Sequence, residues 1–307
     1  MPIPILIDCD PGHDDAIAIL LAIASPEVEL LGVTTVGGNA GLDHTTRNAL
    51  QVLELADATA MPVARGEARP LSRALVVADH VHGASGMEGP TLPDPRMEPL
   101  PGHATDLICG VVDQHPDQVT LVATGPLTNV AVLVRDRPEV ARRLRRVVLM
   151  GGGMAESNIT PAAEFNIWAD PEAAALVFGS GLDVTMVGLD VTHQALVGPG
   201  DLDRTAGRCA RVVAELLDYF GRFHRDVYGL EASPIHDAVA VAHVIWPDLL
   251  ATDLLNVEVE TESDLCRGRT VVDVHRVTGR PPNAHVALAI DGHAFTERLV
   301  DRLHRLP

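Results

Sequence analysis

No lysine occurs in this chain: all 23 of its basic residues are arginine, among 307 residues in all. Schiff-base chemistry on a lysine, the pyridoxal phosphate type included, is therefore excluded. A Walker-type phosphate loop falls with it, because no G-x-x-x-x-G-K-[ST] string exists. Positive charge is scarce altogether. Against 42 acidic residues the 23 arginines leave a formal charge of −19, and so acidic a surface repels phosphate backbones and anionic lipid. Nucleic acid and membrane are thus poor partners, whereas a small neutral or cationic ligand, or a metal ion, fits. The one basic run, Arg142-Arg143-Leu144-Arg145-Arg146, reads as a solvated helix end.

Cysteine is sparse as well. Cys9, Cys109, Cys209 and Cys266 form no C-x-x-C pair, which speaks against zinc and disulfide frameworks and for free thiols in a reducing compartment. No uninterrupted apolar stretch reaches membrane-spanning length, and MPIPILIDCD enters a strand pattern with no basic leader before it. The expected location is the cytoplasm.

What is present in quantity is apolar side chain, at 47% of the residues, enough for a substantial core in one large domain or two smaller ones. Strand-like runs alternate with helix-like segments. The strands expected are Ile3 to Cys9, Leu30 to Val36, Val119 to Ala123, Val147 to Met150 and Val184 to Leu189. Between them, helical spacing covers Asp14 to Ala24, Asp43 to Ala56, Asp106 to Gln114, Leu127 to Arg135 and Pro171 to Phe178. Apolar strands without polar alternation point to a largely parallel sheet covered by helices on both faces. Ligands in such α/β folds bind beyond the carboxyl ends of the strands. Later, Ala206 to His224 and Asp237 to Ile245 read as helices, and Leu255 to Glu260, Thr270 to His275 and His285 to Ile290 as strands joined by turns. With no repeat or linker in view, the expectation is one domain over residues 1–307, with a C-terminal helical and hairpin-like annex on the same sheet.

The most informative segment is Asp8-Cys9-Asp10-Pro11-Gly12-His13-Asp14-Asp15. Strand residues two apart share a side, so Asp8 and Asp10 are both placed toward the crevice. Pro11-Gly12 is turn chemistry, and Asp14 and Asp15 then open a helix, where free N–H groups favour carboxylates. A single aspartate there would cap a helix and nothing more. Four within eight residues repel one another, and a bound cation relieves that. All-oxygen donors point to a hard cation, with calcium ahead of magnesium where backbone carbonyls take part. Cys9 alternates with the aspartates and reads as a small interior group; His13, pointing away by spacing, reads as a loop residue.

The string DCDPGHDDAIAILLA closely resembles the signature of the inosine-uridine preferring nucleoside hydrolase family. Further blocks follow in that family's order: Val-Gly-Gly-Asn at 36–39, His82-Gly83, Ala-Thr-Gly-Pro-Leu-Thr-Asn at 123–129, Met-Gly-Gly at 150–152, Asn158, Glu164-Phe165-Asn166 and His236-Asp237-Ala238. The resemblance implies hydrolysis of the N-glycosidic bond of ribonucleosides, a role in nucleoside salvage, and a homo-oligomer, with a tetramer favoured over a dimer. It further implies a calcium ion held by Asp10, Asp15, Asp237 and the carbonyl of Thr124, together with the ribose 2′- and 3′-hydroxyls and one water. Asp10 is then also the base that takes the proton of that water.

Glycosidic cleavage passes through an oxocarbenium-like state that calls for negative groups around the sugar. By resemblance Asp14 binds the 2′-hydroxyl, Asn39 the ribose, and Asn158, Glu164 and Asn166 the 5′ end. Glu164 and Asn166 share a face if extended, although polar loop residues as often satisfy backbone groups. His236 resembles the proton donor proposed in members that carry it, and histidine suits the task because it titrates near neutrality. His82 would face the base from a loop, and Tyr228 resembles a position near the base in pyrimidine-preferring members, a lean toward uridine and cytidine. Taken alone, Tyr228 is nearly as readily an interface or core tyrosine. Two rivals stand beside this reading. Aspartyl-phosphate chemistry lacks its lysine here. A non-catalytic nucleoside- or ribose-binding protein with a retained metal site needs neither Asp10 as base nor His236 as acid.

Overall fold

The computed structural model describes residues 1–202 and 206–307. From the N-terminus the chain runs through β1 (Ile3–Cys9), α1 (His13–Ala24), β2 (Val28–Thr35), α2 (Leu42–Leu55), β3 (Val63–Arg65), α3 (Asp79–His82) and α4 (Ala104–Gln114). The middle comprises β4 (Thr120–Ala123), α5 (Thr128–Asp136), α6 (Pro138–Ala141), β5 (Arg146–Met150), α7 (Phe165–Ala169), α8 (Pro171–Phe178), β6 (Val184–Val187) and α9 (Leu189–Thr192). The last third holds β7 (Leu196–Val197), α10 (Arg208–Tyr228), β8 (Ser233–Pro234), α11 (His236–Ile245), β9 (Leu250–Leu255), β10 (Val257–Val259), β11 (Thr270–Val272), β12 (Ala284–Ile290) and α12 (Gly292–Leu303).

Eight strands form one sheet in the order β3-β2-β1-β4-β5-β6-β12-β9. Every neighbouring pair is parallel except β12 with β9. The strands are short and apolar because both faces are covered. On β1, Ile5, Ile7 and Cys9 enter the core cluster that also holds α1 and α11, whereas Leu6 enters the cluster of α4, α5 and α8. Helix α1 is buried from His13 to Ala22, so it has no solvent face, which is why its sequence carries no polar stripe. Chain order runs from β1 outward to β2 and β3 on one side and from β4 to β5 and β6 on the other. The direction of winding therefore reverses between β1 and β4, and that reversal opens a crevice at the carboxyl ends of those two strands.

The single α/β domain with a largely parallel, helix-flanked sheet is as the sequence led us to expect. The C-terminal annex differs in detail. Among the described C-terminal strands only β9 and β12 extend the main sheet; β10 and β11 pair with each other as a separate two-stranded sheet, because the chain turns away after Leu255. Strand β3, too short to show a period, was not foreseen, nor was helix α12, although its buried Phe295, Leu299, Val300 and Leu303 recur at helical spacing. The fifth expected strand stops at Val187, and Gly188 passes the chain into α9. Among the described residues no helix is long and apolar enough to cross a membrane.

Candidate active site

A cavity opens at the carboxyl end of the sheet, where ligands bind in folds of this kind. Asp14, Asn39, Thr124 and Asp237 line one side, and His82, His193, Phe220, His224, Tyr228 and His236 line another, with Asn158, Glu164 and Asn166 at a third. The sequence-expected residues thus converge from both halves of the sheet.

The carboxylates arrive on two helix starts. Asp14 and Asp15 occupy the first turn of α1, and Asp237 the first turn of α11, which packs against α1. One carboxylate oxygen from each of Asp14, Asp15 and Asp237 lies within 4.8 Å of the others, and all three residues are buried. Asp15 is held by the Gly12 backbone N–H at 3.0 Å, the Thr124 hydroxyl at 2.7 Å and Asn39 Nδ2 at 3.2 Å. Asp10 lies one layer behind the cavity surface, fully buried. Its Oδ2 accepts from the Asn39 backbone N–H at 2.6 Å, while its Oδ1 has no partner among the described residues. Glycines admit this carboxylate: a Cβ at Gly125 would stand 2.5 Å from Asp10 Oδ1, and one at Gly38 2.1 Å from Oδ2.

Burial raises the pKa of each of these acids, and their mutual repulsion adds to it. Asp14 is pushed up to about 7, chiefly by burial and then by Asp15. Asp10 and Asp237 are driven well above the usual carboxylate range, with Asp15 and Asp14 their respective nearest repulsive neighbours. Asp15 is raised by burial despite its hydrogen bonds. Without an added cation such a group must hold protons; a cation of all-oxygen preference would let it ionise.

Asp8 does not join it. Its Oδ1 accepts from the Thr34 hydroxyl and from Asn129 Nδ2, and the cavity lining does not include it. Strand β2 brings Thr34 and helix α5 brings Asn129 to this oxygen, which ties those two elements to β1; Asp8 Oδ2 has no partner among the described residues. Burial lifts its pKa to about 6.

The polar side of the cavity is built by capping. Glu164 is the N-cap of α7 and accepts from the backbone N–H groups of Gly152, Asn166 and Ile167. Burial raises its pKa to about 7. Asn166 sits in the first turn of that helix and donates Nδ2 to the Thr124 carbonyl at 2.7 Å. The two residues therefore share the cavity through a helix cap, not through an extended strand as their spacing suggested. Asn158 Oδ1 accepts from the Phe165 N–H at 2.9 Å.

The imidazole side was only partly foreseen. His236 Nδ1 lies 2.7 Å from the Thr192 hydroxyl, and burial holds its pKa well below 6.5. His82, the last residue of α3, is likewise lowered by burial. His193, His224, Phe220 and Phe223 were missed. For Phe220, Phe223 and His224 the readable signal is the spacing 220, 223, 224 and 228 along α10, a single helix face ending at Tyr228, whereas His193, at the end of α9, had none. Tyr228 lines the cavity while 43% exposed. His13 is a correction: it is the buried first residue of α1, not a loop residue, because Pro11 and Gly12 complete the turn before it. It does point away from the carboxylates, and stacks instead on His82, Tyr219 and Phe220. Cys9 is the interior group expected, fully buried with its thiol toward the Thr34 carbonyl.

Residues 5–297 match the model of the family described as inosine-uridine preferring nucleoside hydrolase. A pyrimidine-specific ribonucleoside hydrolase of Citrobacter koseri, RihA, is 47% identical over 307 residues, covering 99% of this chain and 98% of its own. Its counterpart in a Shewanella species is 48% identical over 304 residues, 98% of this chain and 96% of its own. Among solved structures, a plant nucleoside hydrolase superposes with a TM-score of 0.92 at 33% identity, covering 99% of both chains. A purine-preferring ribonucleoside hydrolase from Gardnerella vaginalis also gives 0.92, at 31% identity and 98% coverage of both chains.

Proposed function

Because the chain belongs to the inosine-uridine preferring nucleoside hydrolase family and is an N-ribosyl hydrolase, we propose that it is a calcium-dependent enzyme acting on pyrimidine ribonucleosides, uridine and cytidine above all. The observation that carries the reading is the buried carboxylate group at the cavity floor, with the unpartnered Oδ1 of Asp10 beside it. The residues fit a metal. Their donors are all oxygen, their charges repel, and no protein cation faces them among the causes of their raised pKa values. Asp10, Asp15, Asp237 and the Thr124 carbonyl would hold it, and Asp14, with an oxygen within 4.8 Å of oxygens of Asp15 and Asp237, would serve as a further donor. Calcium, when bound, supplies positive charge that orients vicinal ribose hydroxyls and makes water more acidic.

The chain's own groups supply the rest. Asp10, behind the sugar site and held by the Asn39 N–H, takes the proton of the attacking water. Asp14 and Asn39, both lining the cavity, bind the ribose. The carboxylates face the positive charge that gathers on the sugar as the glycosidic bond lengthens. Glu164, Asn166 and Asn158 receive the 5′ end. His236 is neutral in its buried setting and assists departure of the base by hydrogen bonding as negative charge builds on it. His82 and Tyr228 meet the base. The pyrimidine lean rests on Tyr228 and on the pyrimidine-specific relatives. A homo-oligomer, tetramer before dimer, working in cytoplasmic nucleoside salvage completes the proposal.

Ribose release from uridine, cytidine, inosine and adenosine, each with and without a strong calcium chelator, tests it. Release greatest from the pyrimidines and abolished by chelation is expected. Silence on all four with calcium present would sink the proposal in favour of a binding protein.

A further inference from the structure

If His82 faces the base, as proposed above, its chemistry depends on which ring nitrogen carries the proton, and His13 answers that. His13 Nε2 lies 2.7 Å from the Glu88 carbonyl oxygen. A carbonyl only accepts, so this nitrogen is protonated. His13 Nδ1 lies 3.0 Å from His82 Nδ1, and two ring nitrogens that close need one proton between them. The flanking groups are the rings of Tyr219 and Phe220, stacked on His13 at centroid distances of 5.3 and 5.4 Å. No carboxylate hydrogen-bonds to either imidazole among the described residues. The Glu88 carboxylate, which attracts a charge on His13, is engaged by the Ala84 N–H and the Tyr219 hydroxyl, so charging an imidazole there costs desolvation with no carboxylate in hydrogen-bond contact. A neutral His13 with Nε2–H has a lone pair on Nδ1, so the shared proton belongs to His82. The backbone N–H of His13 also approaches His82 Nδ1, at 3.4 Å, a length that gives way to the shorter contact.

We propose that His13 is a positioning residue, accepting a hydrogen bond from Nδ1–H of His82 and so fixing His82 with an unprotonated Nε2 that accepts from a donor on the bound nucleoside. His82 Nε2 has no protein partner among the described residues, and the ring lines the cavity, whereas His13 does not reach it. Gly12 preserves the arrangement: a Cβ there would stand 2.7 Å from His82 Nδ1.

Long-range 1H–15N NMR of histidine-labelled protein reads the tautomer directly, with the His82 signals assigned by their loss in His82→Asn. The wild-type protein is expected to show His82 as Nδ1–H, and an Nε2–H His82 overturns the proposal. His13→Phe keeps a ring on Tyr219 and Phe220 but removes the acceptor. It should mix the two tautomers and lower kcat/KM for uridine about 10- to 100-fold, mostly in kcat. His13→Asn places an oxygen on Cγ where Nδ1 stands and should recover most of that loss. Equal losses in both variants, or an unmoved His82 tautomer in His13→Phe, would overturn the proposal. Should His13→Phe not fold, the wild-type spectrum decides alone. Nucleoside turnover with an Nε2–H His82 sinks this inference only; absence of turnover on every nucleoside sinks the functional reading while the spectrum still reports the tautomer.

Discussion

Asp14, Asp15 and Asp237 gather on the first turns of two helices that pack together, whereas His82, His193, His224 and His236 come to the cavity from four elements: α3, the end of α9, α10 and α11. The acids, His82 and His224 are buried and His193 and His236 half-buried, and desolvation raises the acids and lowers His82, His224 and His236. The consequences differ. An imidazole among aromatic rings is content when neutral and still hydrogen-bonds. A group of carboxylates is content only when protons or a cation balance it, so the acidic floor is incomplete without a partner that the chain does not supply. One desolvated pocket therefore yields a floor that recruits charge and a wall that excludes it.

The largest expected break in this comparison is Asp10→Ala. Loss of the base should lower kcat on uridine by roughly 10²–10⁴-fold, while a non-catalytic binder would keep its ligand; nucleoside binding and ribose release measured on the same variant separate the two. Next comes His236→Ala, expected to lower kcat by about 10²-fold with the calcium requirement intact, as a calcium titration of activity would record.

Acid sensitivity sharpens the comparison away from the cavity. His243, on α11, is buried with its pKa lowered to about 4 by desolvation and then by Arg146. The unfolded chain takes up that proton first, so the stability it allows is complete above about pH 6.5 and is lost as pH falls toward 4, by at most about 1.4 kcal/mol per pH unit. Glu164 works in the opposite direction. With its folded pKa near 7, it favours folding at low pH and loses that contribution as pH rises from about 4.5 through 7. Thermal melting of His243→Gln between pH 4 and 7 should show a shallower acid decline than the wild-type protein; an unchanged decline would contradict the assignment. The smallest effect is expected from Tyr228→Phe. A rim residue still 43% exposed should shift the uridine-to-inosine ratio of kcat/KM by less than about tenfold.

The floor was legible in part because its first motif is local. Asp10, Asp14 and Asp15 sit in one strand-turn-helix, so residue order alone brings them together, whereas Asp237, more than two hundred residues further on, was expected only through the resemblance. Asp8 misled because strand alternation fixes a side and not a partner, and Thr34 and Asn129 claim it first. The wall was mostly illegible. His193 and His224 lie in segments with no motif of their own, and only the packing of α9, α10 and α11 brings them to His236, with ring centroids 5.4 and 6.5 Å away. His13 looked like filler within the acidic motif, yet its partners Glu88 and His82 are more than sixty residues distant. The parallel core strands were readable from their apolar runs, whereas β3, three residues long, offered too few side chains for any period to show.

The division of labour between floor and wall is tested most directly by changing the leaving group. Asp10→Ala and His236→Ala are each assayed on uridine and on 4-nitrophenyl ribofuranoside, whose phenolate departs without a proton. Asp10→Ala should be crippled on both substrates, and His236→Ala on uridine alone. A His236→Ala variant equally impaired on both would contradict the account, since His236 would then serve the sugar or the fold instead of the departing base.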